Sequence, residues 1–269
     1  MGLRINSNIP ALNADRQTRN ASGLVETSLR RLSTGLRINR AADDAAGLAI
    51  AERLNALARQ SQVEINNLQS GVSVVQTAEG GLSVQQEATQ RLRELALQAS
   101  NGTLSDADRQ AINAEAQQLI EQIGDIGENT EFNGTQLLNG STPTIGLGTE
   151  GGIQVNLPES TAGALGIAGL DLGTQAGAQA ALGTLDTALN RIDQSRAGLG
   201  AQQNRFESAI RQRETQGQNA REAESRIRDL DIALGVIDRT RGQLLQRAGL
   251  AALIQSNATP QSTLRLLGG

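Results

Sequence analysis

Apolar residues recur at alternating spacings of three and four along much of this chain of 269 residues. One such series runs from Ala51 to Leu82, and two others run over 88–99 and 112–126. On a helix with 3.6 residues per turn, this spacing places the apolar side chains in a single stripe. A chain with this pattern buries its apolar surface by laying helices side by side, so we expect a mainly α fold.

The scarcity of aromatic residues limits the shape of the core. Aromatic residues make up 1% of the chain, and the two present are Phe132 and Phe206. Aromatic side chains usually dominate the burial of a compact interior, whereas Leu, Ile, Val and Ala suit thin helical seams. We therefore expect an elongated coiled-coil helical rod in which the N- and C-terminal helices pack together. Apolar stripes left open on such a rod favour association.

Several short signals divide the N-terminal half. The Gly80-Gly81 pair weakens helix propensity and predicts a bend or break near residue 80. Asn101-Gly102 is a turn signal, and Ser105 followed by acidic residues is typical of a helix start. The simplest interpretation of 85–127 is two antiparallel helices joined by a short turn.

The middle of the chain has a different pattern of residues, with turn signals and an alternation of apolar and polar side chains. Asn133-Gly134 and Asn139-Gly140 are turn pairs, and the apolar residues of 153–157 alternate with polar ones. This pattern predicts a small β-hairpin region over 133–177. Helix is then predicted to return near residue 178 and to continue to about residue 257.

The clearest seam of the C-terminal part has eight members: Ile227, Leu230, Leu234, Ile237, Arg241, Leu244, Ala248 and Ala251. Glycines at 217, 235, 242 and 249 dilute the helix propensity of this region. A helix with a narrow apolar stripe and diluted propensity is marginal alone. We expect it to become ordered mainly by packing against something else.

Composition excludes most catalytic and metal chemistry. The chain has no Cys, His or Lys, which removes thiol nucleophiles, imidazole bases, most zinc sites and Schiff-base chemistry. The Asp43-Asp44 pair lacks a third ligand, so these residues are interpreted as helix-start acids. Glycine pairs at 80–81 and 151–152 lack the spacing and lysine of a phosphate loop and are interpreted as hinges or turns. We expect no catalytic residue, no metal and no cofactor.

Charge and hydropathy limit the partners. The net charge of −4 argues against nucleic acid. No stretch approaches the ~20 apolar residues of a membrane span. The N-terminal residues lack an apolar signal core, so no cleavable secretory signal is expected.

Eight short segments resemble the signatures of bacterial flagellin, in the order in which that family carries them. They are LRRLSTGLRIN (29–39), ADDAAGLAIA (42–51), QRLREL (90–95, with Gln98), NTEFNG (129–134), LLNG (137–140), GAQQNRF (200–206), SRIRD (225–229) and QLLQRAG (243–249). The resemblance covers about 1–140 and 178–267. It implies a structural subunit that polymerises into the helical filament of the bacterial flagellum and is exported without a cleaved signal.

The resemblance also implies a domain organisation. Residues 1–42 and 228–269 correspond to the paired D0 helices of the inner tube. Residues 43–132 and 178–227 correspond to the helices of the D1 rod, and 133–177 would form the β-hairpin region without D2 or D3 outer domains.

Two sets of site residues follow from the family. Arg91, Leu95 and Glu115 match the surface that Toll-like receptor 5 recognises in the family. The alternative is that they are ordinary rod residues, with Leu95 buried in a subunit contact. The filament packing seam would comprise Leu230, Leu234, Ile237, Leu244 and Ala248. Arg241 on this seam either sets register or faces the filament lumen.

The partners implied by the family are other copies of the chain, an export chaperone at the C-terminus, the filament cap and the hook-junction proteins. The nearest alternative is a hook–filament junction protein with similar termini. An enzyme-bearing flagellin is excluded, since a His-Glu-x-x-His site needs histidine. A module for immune binding or adhesion remains a third possibility.

Overall fold

The computed structural model describes residues 8–148 and 152–267. Its helices are α1 (Ile9–Thr34), α2 (Ala45–Ala99), α3 (Asp106–Asn129), α4 (Ala162–Leu165), α5 (Gln175–Arg228) and α6 (Ile232–Leu267). Its strands are β1 (Glu131–Phe132), β2 (Thr135–Gln136), β3 (Thr144–Gly146) and β4 (Gln154–Asn156). The mainly α fold with small antiparallel strand pairs is the predicted one. In the described ranges, no helix is long and apolar enough to cross a membrane.

The chain divides into two compact units. One unit comprises 1–58 and 218–269, and we call it the terminal unit; the other comprises 59–217, and we call it the central unit. The N- and C-terminal helices α1 and α6 pack against each other within the terminal unit, as predicted.

The predicted helical hairpin is present in the central unit. α3 begins at a capping box, in which Ser105 accepts a hydrogen bond from Asp108 N–H while the Asp108 carboxylate accepts one from Ser105 N–H. The side chain of Gln85 donates to Ile123 O, and Arg109 donates to Ala99 O. Gln85 precedes Ala99 on α2, whereas its partner Ile123 follows Arg109 on α3. The two helices are therefore antiparallel.

The β region consists of two separate antiparallel pairs. β1 and β2 are joined at Asn133 and Gly134, which both have positive φ, at 49° and 75°. Positive φ is common for Asn and Gly at such turns. β3 pairs with β4, with Ile145 opposite Val155. Gly151 of the predicted glycine turn lies outside the described residues.

The core of the central unit is built by α2, α3, α5 and the segments around the strands. The seams predicted over 88–99 and 112–126 supply buried Leu, Ile and Ala side chains. Phe206 on α5 is buried, whereas Phe132 lies at the surface. Most of this core is aliphatic, as the composition requires.

Of the predicted bend or break near residue 80, the break is wrong, because α2 is continuous through Gly80 and Gly81. A methyl group built on Gly81 would lie 2.8 Å from Thr130 Oγ1 and 2.9 Å from Leu138 Cδ1. On Gly71, it would lie 2.6 Å from Leu147 Cδ1. Gly71 and Gly81 therefore let the segments of the β region approach the helix closely.

The prediction of uninterrupted helix from 178 to about 257 is also wrong. α5 ends at Arg228 and α6 begins at Ile232. The Asp231 carboxylate accepts hydrogen bonds from Ala233 N–H and Leu234 N–H, which satisfies two free donors at the start of α6. The side chain of Asp231 therefore stabilises a new helix start in a segment that contains no glycine or proline.

Candidate assembly surface

Three glycines of α6 form the face that contacts α1. Gly235 lies against Leu32, Gly242 against Val25, and Gly249 against Thr18. The three glycines are seven residues apart, and so are the three α1 residues that they contact. The two series run in opposite directions along the chain. The helices are therefore antiparallel, with a register that repeats every heptad.

The approach of the two helices at these glycines is close. A methyl group on Gly242 would lie 2.8 Å from Val25 Cγ2, and one on Gly249 would lie 2.5 Å from Thr18 Oγ1. On Gly235 it would lie 3.0 Å from Leu32 Cδ2. In the sequence, these glycines indicated only a low helix propensity. Their seven-residue spacing was the signal that could have identified them as a contact face.

The residues of the predicted filament packing seam lie mostly on the open side of α6. Leu234 and Ile237 are each 59% exposed and Leu244 is 61% exposed, and Ala248 is also exposed. Leu230 differs, because it precedes the helix and is half-buried, with Leu230 N–H donating to Gly35 O at 2.9 Å. Arg241 is exposed on the same helix.

The exposed apolar surface of the terminal unit is larger than the predicted seam. Further exposed side chains are Ile9, Leu12, Leu24 and Leu29 on α1, and Ile232, Val236, Leu245, Leu250 and Ile254 on α6. Single exposed apolar residues are ordinary on protein surfaces, but contiguous apolar surface marks an interaction site. The contact with α1 therefore buries Gly235 and Gly242 and leaves most of the large aliphatic side chains of α6 exposed.

The two segments that interrupt the helices are joined to each other. Leu36, between α1 and α2, forms an isolated antiparallel bridge with Asp229, between α5 and α6. Arg37 N–H donates to Arg228 O at 2.7 Å, and the Arg37 guanidinium donates to Ile227 O at 2.6 Å. These bonds hold the ends of α1 and α5 together and satisfy carbonyl groups at the end of α5.

Of the two acids before α2, Asp44 caps the helix start, as predicted for a helix-start acid, whereas Asp43 binds the backbone of the loop that precedes the helix. Asp44 Oδ1 accepts a hydrogen bond from Gly47 N–H at 2.8 Å. Asp43 Oδ2 accepts from the N–H groups of Asn39 and Arg40, and these bonds lower the pKa of Asp43 below its usual 3.8. Among the described residues, no group of three or more acidic side chains is placed to hold a metal ion.

The residues that match the receptor-binding surface lie at the contact between α2 and α3. Arg91 Nη2 donates to Glu115 Oε1 at 3.0 Å, and Arg91 Nη1 donates to Glu94 at 3.0 Å. The hydrogen bond to Glu115 is the larger cause, and the two bonds together raise the pKa of Arg91 above its usual value. Arg91 and Glu115 are exposed, but Leu95 is only 2% exposed and belongs to the core of the central unit. A partner at this surface would therefore meet the ion pair rather than Leu95.

A helix pair that leaves many large aliphatic side chains exposed is typical of a structural subunit that associates through its helices. Two family models match the chain in agreement with this class. The bacterial flagellin N-terminal helical region matches residues 5–142, and the bacterial flagellin C-terminal helical region matches residues 182–267. The chain belongs to the bacterial flagellin family.

Curated relatives match over nearly the full length. The chain is 40% identical to a flagellin of Halalkalibacterium halodurans over 98% of this chain and 99% of the relative. It is 38% identical to a flagellin of Bacillus subtilis, over 98% of this chain and 100% of the relative. It is also 38% identical to the flagellar filament 33 kDa core protein of Treponema phagedenis, over 98% and 99%.

Two solved structures are also similar. The crystal structure of Bacillus cereus flagellin is 30% identical, covers 55% of this chain and 88% of its own, and has a TM-score of 0.49. A protein assigned as a flagellar hook-associated protein of Vibrio parahaemolyticus is 16% identical. It covers 70% of this chain and 97% of its own, with a TM-score of 0.55, and this likeness concerns the fold alone.

Family membership establishes the function. The chain is a structural subunit of the flagellar filament, which is an extracellular assembly, and it is not an enzyme. It polymerises with copies of itself, as the sequence predicted. Nothing in the relatives favours the alternative of a hook–filament junction protein.

Proposed function

We propose that subunits of this filament join mainly through the open apolar face of α6 in the terminal unit. The observation that carries the proposal is the division of α6 into two faces. Its glycines contact α1, while Leu234, Ile237 and Leu244 remain more than half exposed. Burying an aliphatic side chain of this size contributes about 1.5–3 kcal/mol. Neighbouring copies supply the surface that covers them.

The geometry of such contacts favours open-ended growth. A stripe on one copy that packs against a different surface on the next makes a heterologous contact, and repeated contacts of this kind build helical filaments. Leu12 and Leu24 on α1 are exposed and offer apolar surface for the opposite side of such a contact. Ala248 and the half-buried Leu230 complete the predicted packing seam.

We propose the inner region to be 1–42 and 228–269, with 43–132 and 178–227 as the rod helices and 133–177 as the β region. The helix interruptions support these limits, because α1 ends at Thr34, α2 begins at Ala45 and α6 begins at Ile232. Residues 1–7 and 268–269 of the inner region lie outside the described residues.

The inner region depends on assembly for its order. In the terminal unit, α1 and α6 pair through glycines, which contribute no side chain to the contact. Much of the aliphatic surface of both helices is exposed in a single copy, so little apolar burial offsets the entropy of ordering them. Covering that surface in the filament supplies the missing stabilisation, which couples folding of this region to polymerisation.

Two deletions test this assignment. Removal of 1–40, or of 228–269, is expected to leave a soluble helical protein that does not elongate filament seeds. Far-ultraviolet circular dichroism and electron microscopy of the same sample check the two parts of this expectation. Filaments of normal length from either deletion would contradict the proposal.

Recognition by Toll-like receptor 5 is proposed at the exposed pair of Arg91 and Glu115, with Leu95 supporting the surface from within the core. The family resemblance and the exposed position of the ion pair support this proposal. Binding of the receptor ectodomain to dissociated subunits, compared with the Arg91→Ala and Glu115→Ala variants, tests it. Equal binding by all three proteins would contradict it.

The remaining partners and the export route rest on the family resemblance alone. An export chaperone is proposed to bind the C-terminal region, and the filament cap and hook-junction proteins are proposed to contact the ends of the filament. Export is proposed to use the flagellar type III-type channel with the N-terminal region uncleaved. Co-purification of the chain with a chaperone, lost on removal of 228–269, would test the first of these.

A further inference from the structure

The three glycines of α6 differ in the atoms that an added methyl group would meet. Val25 and Thr18 are β-branched and have stiff side chains, so they cannot move easily from a methyl group on Gly242 or Gly249. The backbone of α1 is also near, with Val25 N 3.4 Å from the methyl position on Gly242. At Gly235 the nearest atoms are the ends of two flexible leucine side chains, at 3.0 Å.

The contacts define one register of α6 on α1. A slip of one residue would place Arg241 or Gln243 opposite Val25, where the structure has a glycine. Side chains of that size do not fit in a gap that a methyl group already overfills. Among slips that preserve close packing, the pattern therefore permits only multiples of seven residues.

Hydrogen bonds at both ends of the helix pair distinguish the observed register from one that is shifted by seven residues. Leu230 N–H donates to Gly35 O, and the side chain of Asn8 donates to Ser256 O at 2.9 Å. A slip of seven residues would move the helices about 10 Å along each other at 1.5 Å per residue. Both hydrogen bonds would be lost, so the observed register is the one that satisfies the glycines and the ends together.

We infer that Gly242 and Gly249 are positioning residues that set the register of α6 on α1, and that this register determines which apolar face of α6 is presented to a second copy of the chain. The inference rests on the proposed function of that face. It assigns to the glycines a role in assembly that their low helix propensity does not suggest.

The test compares critical concentrations for the elongation of filament seeds by the full-length chain. Gly242→Ala and Gly249→Ala are each expected to raise the critical concentration about tenfold or more, because overpacking of a tight contact has a cost of that size. Gly235→Ala is expected to have a smaller effect. Gly23→Ala is the matched control, since Gly23 lies within α1 and a methyl group there meets nothing within 4 Å.

A compensating variant separates a specific clash from general damage. Val25→Ala removes the Cγ2 atom that a methyl group on Gly242 would meet. The double variant Val25→Ala with Gly242→Ala is therefore expected to polymerise nearly as well as Val25→Ala alone, and better than Gly242→Ala. Such non-additivity is the sign of a direct contact.

A disulfide reports the register itself. Gln246 Nε2 donates to Ser22 Oγ at 3.3 Å, and the chain has no natural cysteine. When assembled filaments are treated with a mild thiol oxidant, Ser22→Cys with Gln246→Cys is expected to form an intramolecular disulfide, at a yield that falls when Gly242→Ala is added. An unchanged yield and an unchanged critical concentration with Gly242→Ala would overturn the inference. Failure of the unaltered chain to elongate seeds would instead overturn the proposed function.

Discussion

Gln85 and Ser160 exchange two hydrogen bonds inside the central unit. Gln85 Nε2 donates to Ser160 O at 2.7 Å, and Ser160 Oγ donates to Gln85 Oε1 at 2.6 Å. Both residues are buried, and the same Gln85 nitrogen also reaches Ile123 O. One side chain of α2 thus fastens both α3 and the segment before α4. A methyl group on Gly127 would lie 2.6 Å from Ser160 O, so this segment packs tightly on α3.

We expect Gln85→Leu to lower the free energy of unfolding of the central unit by about 2 kcal/mol, because it leaves buried polar groups without partners. Chemical denaturation followed by circular dichroism measures the change. Gln90→Leu is the control, because Gln90 lies on the same helix and is exposed. Equal stability of the two variants would contradict a structural role for the Gln85 bonds.

Gly80 and Gly81 give a second test, since they are neighbours with different surroundings. A methyl group on Gly80 meets nothing within 4 Å. Gly80→Ala is therefore expected to stabilise the helix by up to about 1 kcal/mol through its higher helix propensity. Gly81→Ala is expected to destabilise the central unit, because the methyl group would collide with Thr130 and Leu138. Thermal unfolding of both variants measures the difference, and stabilisation by both would contradict the close contact at Gly81.

Arg91 and Leu95 are expected to respond very differently to replacement by alanine. The ion pair of Arg91 is exposed to solvent, and such pairs contribute little to stability. Arg91→Ala should thus leave the unfolding midpoint nearly unchanged. Leu95→Ala should lower the free energy of unfolding by about 3 kcal/mol, because Leu95 is buried. Similar midpoints for both variants would show that Leu95 is not a core residue.

The hydrogen bonds that the Asp108 and Asp43 carboxylates accept predict that the stability of the protein depends on pH in the acid range. Hydrogen bonds from Ser105 lower the pKa of Asp108, and those from Asn39 and Arg40 lower the pKa of Asp43, in each case from 3.8. A folded-state pKa below the unfolded value stabilises the protein fully above that unfolded value. This contribution is lost as the pH falls through the lowered folded-state value.

We therefore expect Asp108→Asn to lose less stability than the unaltered chain when the pH is lowered below 3.8. Chemical denaturation at a series of pH values measures this dependence. Ser105→Ala, which removes the hydroxyl donor, should reduce the dependence in the same direction. Identical acid dependence in all three proteins would contradict the cap as its source.

Local patterns predicted the helical part of this fold well. The spacing of apolar residues over 88–99 and 112–126 identified side chains that are buried, and Ser105 was recognised as a helix start. Asn133-Gly134 was recognised as a turn. These features depend on chemistry within a few residues, so they can be derived from the sequence without knowing what packs against them.

The meaning of each glycine could not be derived in this way. Gly80 and Gly81 look alike in the sequence, and the positions of Thr130 and Leu138 in the fold distinguish them. Gly242 lowers helix propensity when considered alone, yet it lies where α1 approaches most closely. For the same reason, the seam that contains Leu244 identified an apolar stripe without showing that α1 covers the other face of the helix.

The apolar spacing did not reveal the interruption between α5 and α6, although the family resemblance implied a domain boundary at 227–228. The three residues between the helices are Asp229, Leu230 and Asp231, which include no strong helix breaker. Their conformation depends on the distant pairing of Leu36 with Asp229. Sequence periodicity continues across the interruption and so could not reveal it.

The most direct test of the account is seeded elongation of full-length chain that carries Leu244→Asp, followed by negative-stain electron microscopy. Leu244 is 61% exposed in a single copy, so the change should leave the circular dichroism of dissociated subunits unaltered. Leu244→Met, which keeps a large apolar side chain at the same position, is the control. We expect long filaments from the unaltered chain and from Leu244→Met, and none from Leu244→Asp. Filaments of normal length from Leu244→Asp would contradict assembly through the open face of α6.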